Sequence, residues 1–409
     1  MSVKGHNKER LPEWPHAVMG GKYVRMLDRH LRALRDEQAH GNRRLFLDDA
    51  VVAYLLAFFN PTLRSLRTLE DFSQTRQAQR HLSLHRLCKS TLSDFNRLAD
   101  PTVLEPVITK LQAAIRARKS AATLEGLPHM LSQVLAVDGS FFTVAADVAW
   151  AVRRGTNSGR RLASARLDVH LDVATWLPEI VDVSGHDQSE AQHAARSIKP
   201  GAIHLYDRGI FSFELIAAQQ KAGAFFVHRV REAGARCPQF VATQTRALTV
   251  EDQHRGVVRD AVGHFAGSTH CAPPQALLRE VVLESPDQPG GVIRLITNLW
   301  EVEAWTLGEL YRSRWQVELF FRWLKVFANF EHLISESREG ILLNFYVALI
   351  GVMLMYLHTQ AKPSKYAFSL LAQVACGGAT LEEIAPILKE RERRIALERA
   401  RVARKKQIG

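Results

Sequence analysis

The sequence predicts an α/β fold, with a core built on a mixed β-sheet, a helical N-terminal domain and a helical C-terminus. Two observations support this class. Between residues 133 and 230, short apolar runs of strand length alternate with segments of helical periodicity. On both sides of that region, apolar residues recur mainly at helical spacing. The 409-residue chain is also too long for one ordinary core, so we expect several lobes.

Residues 22–118 are predicted to be helical. The apolar segment Leu45–Phe59 is followed by Asn60 and Pro61, a helix stop signal. Basic side chains are scattered through this region (Arg76, Arg80, His81, His85, Arg86 and Lys89). Small helical domains with basic surfaces often bind duplex DNA, so the region is a candidate DNA-binding domain. No helix-turn-helix pattern is readable, and a solvated charged surface explains the same spacing equally well.

The central region has the order β-β-β-α-β-α-β, which is typical of a mixed sheet covered by helices. Its predicted elements are residues 133–138, 166–175, 177–183, 188–198, 202–207, 211–222 and 224–230. Residues 231–300 look β-rich and looped, with the clearest strands at 277–283 and 291–299. Helical patterns resume near Glu303 and continue to the end of the chain.

The charge balance points to a polyanionic partner. The formal net charge is +12, and nucleic acid is the first candidate for such a basic protein. However, residues 389–406 hold nine Lys or Arg against three Glu, so half of the excess lies in one C-terminal segment. Charge alone therefore supports nucleic-acid binding without establishing it.

Cysteine usage and hydropathy indicate the compartment. The four cysteines form no CxxC pair, which argues against a zinc ribbon or a disulfide framework and fits a reducing cytosol. The polar N-terminus lacks the apolar core of a signal peptide. The apolar run Ile341–Leu357 has 17 residues and no second span beside it, so we predict a buried core helix and no membrane partner.

Two aspartates follow apolar strands. Asp138 is predicted to end the strand at 133–138, where Gly-Ser follows, and Asp207 to end the strand at 202–207, where Arg-Gly follows. Carboxylates at the carboxyl ends of such strands project into the crevice where ligands bind. Either residue taken alone could equally be an ordinary Asp that begins a turn.

The third acid lies in a predicted helix, residues 311–325, with the sequence YRSRWQVELFFRWLK. At ~100° per residue, Tyr311, Arg314, Glu318 and Lys325 fall within a stripe of about 60°. The apolar residues Val317, Phe320, Phe321 and Leu324 occupy the other side. This pattern presents an acid flanked by two cations and a phenol, although a surface ladder of salt bridges has the same spacing.

Two Asp and one Glu form an all-oxygen donor set, which Mg²⁺ or Mn²⁺ prefers. Two such ions about 3.5–4 Å apart can activate a nucleophile on one side of a phosphorus atom and stabilise the leaving oxygen on the other. Arg314 and Lys325 beside the acid would contact DNA phosphates. The constellation predicts in-line phosphodiester chemistry with two ions bound by Asp138, Asp207 and Glu318.

The same residues carry a family resemblance. Tyr311-x2-Arg314-x3-Glu318-x6-Lys325 resembles the Y-R-E-K signature of DDE transposases from bacterial insertion sequences, specifically the insertion sequence four family. The DGS at Asp138 resembles the family's first Asp block, and YDRGIFS around Asp207 resembles its second. The resemblance covers roughly residues 45–360.

The resemblance implies an RNase H-like catalytic core with the acidic triad Asp138, Asp207 and Glu318. It also implies that Tyr311, Arg314 and Lys325 hold transposon-end DNA. Family members cut one strand at the transposon end, form a hairpin on that end, reopen it and join the freed 3′-hydroxyl to target DNA. An aromatic residue usually supports a flipped base, but neither Trp300 nor Trp305 can be matched to that role.

Glu318 follows Asp207 by 111 residues, so the β-rich stretch resembles the family's insertion domain. The resemblance further implies a homodimer that holds two DNA ends and a location at the bacterial nucleoid. The predicted organisation is a helical DNA-binding domain at 1–125, the first part of an RNase H-like core at 126–230, a β-rich insertion at 231–302, the second part of the core at 303–360 and a basic helical segment at 361–409.

Two other functions remain open. A stand-alone RNase H-like nuclease would share the acids, although the Y-R-E-K helix and the long insertion disfavour it. A transposase-derived DNA-binding protein would have lost cleavage, and the intact Asp, Asp and Glu count against that. Asp168, His170 and Asp172 share a strand face, which we interpret as an exposed polar face and not as a metal site.

Overall fold

The computed structural model describes residues 21–37, 45–60, 62–79, 82, 86–118, 133–144, 152–153, 162–185, 189–232, 237–266, 276–285, 290–326, 330, 335–359, 365–375 and 379–408. The chain divides into two compact units. The helical unit comprises Met1–Arg118 and Arg322–Gly409, and the sheet unit comprises Lys119–Phe321.

The N-terminal part of the helical unit is helical, as predicted. Its helices are α1 (Gly21–Glu37), α2 (Leu47–Phe59), α3 (Leu66–Ser73), α4 (Arg76–Gln79), α5 (Lys89–Leu98) and α6 (Glu105–Arg118), with a 3₁₀ turn at Pro101–Leu104. Helix α2 ends at the predicted stop, where Asn60 is its C-cap. Ser65 begins α3 because its side chain accepts a hydrogen bond from the Thr68 amide.

The C-terminal part of this unit begins after α11 (Trp315–Val326) and contains α12 (Arg338–Thr359), α13 (Lys365–Ala375) and the basic α14 (Leu381–Ile408). Helix α12 packs against α2, α5 and α6. Among the described residues it is the one helix long and apolar enough to cross a membrane, and 89% of its apolar window is buried inside the protein. This burial is what we predicted for a core helix.

The sheet unit contains ten described strands in one mixed sheet. They are β1 (Val134–Val144), β2 (Val152–Arg153), β3 (Leu162–Asp172), β4 (Leu177–Ser184), β5 (Ile203–Tyr206), β6 (Phe225–Val230), β7 (Phe240–Thr245), β8 (Val257–Phe265), β9 (Leu278–Glu284) and β10 (Val292–Thr297). The order is β2-β3-β1-β5-β6-β10-β9-β8-β7, and β4 also pairs with β3. Strands β1, β5 and β6 are parallel, and the other pairs are antiparallel.

Four helices of the sheet unit follow its strands in the chain. They are α7 (Glu190–Arg196), α8 (Phe213–Lys221), α9 (Val250–His254) and α10 (Ala304–Ser313). The predicted elements from 166 to 230 are confirmed, and so are the strands predicted at 277–283 and 291–299. Strand β5 is fully buried, which explains why it reads as a continuous apolar run.

One strand differs from its prediction. Strand β1 does not end at Asp138 but continues to Val144, because it pairs with β3 along its whole length, from Leu135 opposite Asp172 to Val144 opposite Ala163. The Gly-Ser that follows Asp138 resembles a turn, yet it lies within an extended strand. Pairing with β5, in contrast, ends at Val137 opposite Tyr206.

The β-rich stretch contributes β7 to β10, and these strands continue the same sheet, since β10 pairs with β6. The loop from β10 to α10 is held by Arg279 of β9, whose Nη1 donates to the carbonyl oxygens of Leu299, Trp300 and Val302 at 2.8, 3.3 and 2.5 Å. This buried anchor fixes the point at which α10 begins.

Candidate active site

Strand register brings the two predicted aspartates together. Strands β1 and β5 are parallel neighbours, and Val137 lies opposite Tyr206, so Asp138 and Asp207 each follow the last paired residue of their strand. Their side chains therefore face the same side at one edge of the sheet, as predicted from the positions of the two strands.

Gly139 keeps the strand next to Asp138 free of a side chain. A Cβ atom at position 139 would lie 2.9 Å from Asp168 Oδ1 and 3.0 Å from Arg166 Cδ. Only glycine fits here without displacing that buried ion pair. The Gly139 amide also donates to Asp138 Oδ1 at 2.9 Å, so this glycine helps to orient the carboxylate.

Glu318 and Arg314 come from a helical segment that the sequence analysis treated as continuous. The structure interrupts it at Arg314, between α10 and α11. The Arg314 amide donates to the Tyr311 carbonyl at 3.0 Å, and the Val317 amide donates to the Arg314 carbonyl at 3.0 Å. These i to i+3 bonds tighten the backbone into a turn, which the assumption of 100° per residue did not include.

Arg314 is the cation on which the acids converge. Its guanidinium is 9% exposed, donates through Nη2 to Glu318 Oε1 and has Nη1 4.0 Å from Asp138 Oδ2. Asp207 is also within electrostatic range of it. One guanidinium therefore faces all three predicted acids, and it has a close hydrogen bond with only one of them.

Tyr311 connects this group to the second strand. Its hydroxyl donates to Asp207 Oδ1 at 3.2 Å, and its ring centroid lies 5.9 Å from Arg314 Cζ. Burial raises the pKa of Tyr311 to about 12, so the hydroxyl keeps its proton at neutral pH and remains a donor. Arg229 of β6 lies beside the same hydroxyl.

The charge on Asp138 is incompletely neutralised. Burial raises the pKa of its carboxyl group from the ordinary 3.8 to about 7, and the nearby Glu190 and Glu318 raise it further. Arg314 and the Gly139 amide lower it, but they do not offset burial. A buried carboxylate with too little positive charge around it has the electrostatic character of a cation-binding group.

Glu190 is a neighbour that sequence reasoning missed. It is the first residue of α7, next to the capping Ser189, and it interacts electrostatically with Asp138 and Asp207. Burial raises the pKa of its carboxyl group. The only sequence signal was an acid in the first turn of a helix, which is common for reasons unrelated to catalysis.

The acidic strand face interpreted as exposed is in fact buried. Asp168, His170 and Asp172 are each 5% exposed or less. Asp168 accepts hydrogen bonds from Arg166 Nε at 2.9 Å and from Ser184 Oγ at 2.7 Å, so it is bound within the protein. The interpretation as an exposed face was wrong because β4 and α7 cover it. Burial lowers the pKa of His170 well below its ordinary value, so its ring stays neutral.

Lys325 stands in the last turn of α11, seven residues and about two helical turns after Glu318. It belongs to the helical unit, whereas Asp138, Asp207, Tyr311, Arg314 and Glu318 all belong to the sheet unit.

The donor set fits a hard divalent cation, because Asp138, Asp207 and Glu318 offer only carboxylate oxygens. In the conformation described, no three Asp, Glu, His or Cys side chains of the described residues are grouped closely enough to hold one ion. The Arg314 guanidinium occupies a position between Asp138 and Glu318, so it would have to move for their oxygens to share a cation.

Comparison with known proteins identifies the domain. A family profile described as "Transposase DDE domain" matches residues 129–354, more than half of the chain, and this range includes all three acids. Among solved structures, the chain is similar to a protein in a cryo-EM structure of a piggyBac transposase synaptic complex with hairpin DNA. The identity is 11%, the TM-score is 0.42, and the match covers 90% of this chain and 80% of that one.

Two relatives are similar in sequence. The chain is 27% identical over 200 residues to a putative transposase, y4zB, of Sinorhizobium fredii, a stretch of 48% of this chain and 54% of the relative. It is 25% identical over 231 residues to a probable transposase for insertion sequence element IS5377 of Geobacillus stearothermophilus, 55% of this chain and 57% of the relative. The chain thus spans little more than half the length of each. With the family profile matched over most of its core, this chain belongs to the transposase DDE domain family.

Proposed function

We propose that this protein is the DNA transposase of a bacterial insertion sequence, which cuts DNA at the ends of its element and joins them to target DNA. The observation that carries the proposal is the convergence of Asp138 and Asp207 with Glu318 on Arg314, within a transposase DDE domain. Because the relatives match over only part of their length, the activity of the whole protein is our inference.

Asp138, Asp207 and Glu318 would hold divalent cations, Mg²⁺ or Mn²⁺, and we propose two ions. Such ions supply Lewis-acid activation of the nucleophile and stabilisation of the leaving oxygen in phosphodiester transfer. Arg314, once released from Glu318, would contact a DNA phosphate, for which its planar fork of donors is suited. Tyr311 would orient Asp207, and Lys325 would contact the backbone of the element's end.

The strand order β4-β3-β1-β5-β6, with β1, β5 and β6 parallel, supports an RNase H-like core. We keep the predicted domain limits, including the insertion at 231–302, as part of this proposal. The helical domain at 1–125 would bind the terminal inverted repeats, and a homodimer at the nucleoid would hold two ends together. The hairpin intermediate is the most specific step proposed, and no aromatic residue is assigned to it.

The test is a cleavage assay on labelled duplex that carries the element's own end, with Mg²⁺ or EDTA. Wild-type protein is compared with Glu318→Ala, and Glu309→Ala serves as a matched control because Glu309 is a half-exposed acid on α10. We expect metal-dependent nicking and then a hairpin product with the wild type and the control, and neither product with Glu318→Ala.

Cutting that persists in Glu318→Ala would show that the active site is elsewhere. End binding without any cutting by the wild type would favour a DNA-binding protein that has lost cleavage. Cutting without preference for the element's end would favour a stand-alone nuclease.

A further inference from the structure

Arg229 has no role in the proposed triad, yet it reaches the same group of side chains from the opposite side of Asp207. It lies on β6, the strand next to β5 in the sheet. Its Nε and Nη2 both donate to Glu232 Oε1, at 3.0 and 2.9 Å. The guanidinium also lies beside the Tyr311 hydroxyl, with which it interacts.

The chemistry of these groups gives the arrangement a direction. A guanidinium can only donate hydrogen bonds, whereas a phenol hydroxyl has one proton and two acceptor sites. If Arg229 donates to the Tyr311 oxygen, the one phenolic proton is left for Asp207, whose Oδ1 lies 3.2 Å away. Glu232 holds the guanidinium that faces Tyr311, and Tyr311 in turn holds one oxygen of Asp207.

We infer that Arg229 is a positioning residue, which acts through Tyr311 to fix the orientation of Asp207 while leaving Asp207 Oδ2 available for a ligand. The inference rests on the proposed function, because it concerns Asp207 as an active-site acid. Arg229 is not itself a catalytic residue in this scheme, since its contact with Asp207 passes through the phenol.

Two other roles for Arg229 fit the structure less well. A contact with DNA phosphate would require a free guanidinium, but two of its nitrogens already donate to Glu232, and the side chain is 26% exposed. A purely structural role would resemble that of Arg279, which is 1% exposed and holds three carbonyl groups. Arg229 bonds an acid three residues away in its own chain segment, which contributes little to the fold.

The test is a double-mutant cycle with Arg229→Gln, Tyr311→Phe and the double variant in the full chain. Cleavage of the element's end is measured at saturating Mg²⁺, and DNA affinity, Mn²⁺ affinity and thermal stability are measured in parallel. Arg231→Gln is the matched control, because it removes the same charge from an exposed arginine two residues away.

We expect each single variant to lower the cleavage rate about 10-fold, as for the loss of a hydrogen bond to a charged group. The double variant should also be about 10-fold slower, not about 100-fold, because both changes interrupt the same chain of contacts. Glu232→Gln should show a smaller loss in the wild-type background and none in the Tyr311→Phe background. DNA affinity and thermal stability should stay close to those of Arg231→Gln.

Multiplicative effects in the double variant would overturn the inference, and so would a loss of DNA affinity that Tyr311→Phe does not alter. Asp207→Asn separates this outcome from failure of the proposed function. If Asp207→Asn is inactive while Arg229→Gln cuts like the wild type, only the role of Arg229 is wrong. If Asp207→Asn itself cuts like the wild type, the proposed function of Asp207 fails, and the inference fails with it.

Discussion

Two arginines of the sheet unit are almost completely buried beside carboxylates, yet their surroundings differ. Arg279 donates through Nε and Nη2 to the two oxygens of Asp260, at 2.9 and 2.7 Å, and through Nη1 to three carbonyl groups. Arg314 has a close hydrogen bond with Glu318 alone, and Asp138 lies 4.0 Å from it. The first arrangement uses every nitrogen, and the second has more acids than its cation can satisfy.

The difference shows how a structural ion pair can be told from a ligand-binding one. Where all donors and acceptors are matched, as around Arg279, no group has capacity left for another partner. Around Arg314 the shortage of positive charge is measurable, since Asp138 keeps a pKa of about 7. Burial alone does not distinguish the two sites, but the balance of charge and hydrogen bonds does.

The largest expected effect separates function from stability. Asp138→Asn should reduce end cleavage by at least about 1000-fold while it leaves the fold intact. Because the pKa of Asp138 is raised on folding, its ionisation opposes folding increasingly as pH rises from about 4 to about 7. At pH 8 the variant should therefore be about 1–2 kcal/mol more stable than the wild type.

Urea unfolding at pH 5 and pH 8, together with the cleavage assay, measures both quantities. The stability gain should be present at pH 8 and smaller at pH 5, where the wild-type carboxyl group is protonated. A variant that unfolds more easily at pH 8 would show that Asp138 is a structural acid like Asp260.

The next effect tests the other arginine. Arg279→Met removes the partner of the buried Asp260 and leaves three carbonyl groups without their donor, so the free energy of unfolding should fall by about 3–5 kcal/mol. Arg255→Gln is the control, since Arg255 is 46% exposed and its pair with Glu251 should contribute less than about 1 kcal/mol. Chemical denaturation of both variants gives the comparison, and similar losses would remove the distinction between the two kinds of site.

Sequence patterns were sufficient for the parts that depend on local burial. Strand β5 was predictable because it is buried on both faces and reads as an unbroken apolar run. The meeting of Asp138 and Asp207 followed from the placement of each acid after a strand. Both predictions use information contained within a few neighbouring residues.

Features set by distant partners were not predictable. Strand β1 continues past Asp138 because β3 pairs with it, although Gly-Ser resembles a turn. Glu190 and Arg229 reach the site because α7 and β6 lie beside β1 and β5 in the fold, and neither belongs to a spacing pattern. The break at Arg314 likewise replaces a continuous helix with a turn that directs the guanidinium at the acids.

The third expected effect follows from the pKa of Asp138. A carboxylate must be deprotonated to bind a cation, so protons compete with the metal below pH 7. Mn²⁺ affinity of the DNA-free protein should rise about 10-fold per pH unit up to about pH 7 and then level off. Calorimetric titration from pH 5.5 to 8.5 measures this, and a profile that levels off near pH 4 would mean that Asp138 is not a ligand.

The smallest effect concerns the cation that the acids share. Arg314→Gln should weaken binding of the element's end about 10-fold and lower the slope of log affinity against log salt by about 1, as for the loss of one phosphate contact. Lys325→Gln should do the same if it too contacts a phosphate. Fluorescence anisotropy at several salt concentrations measures both variants, with Arg255→Gln as the control. In the metal-free protein, Arg314→Gln should destabilise the fold by less than Arg279→Met, because its guanidinium satisfies fewer groups. An unchanged salt slope combined with a large loss of stability would make Arg314 a second structural arginine, and the contrast between the two sites would then be one of degree only.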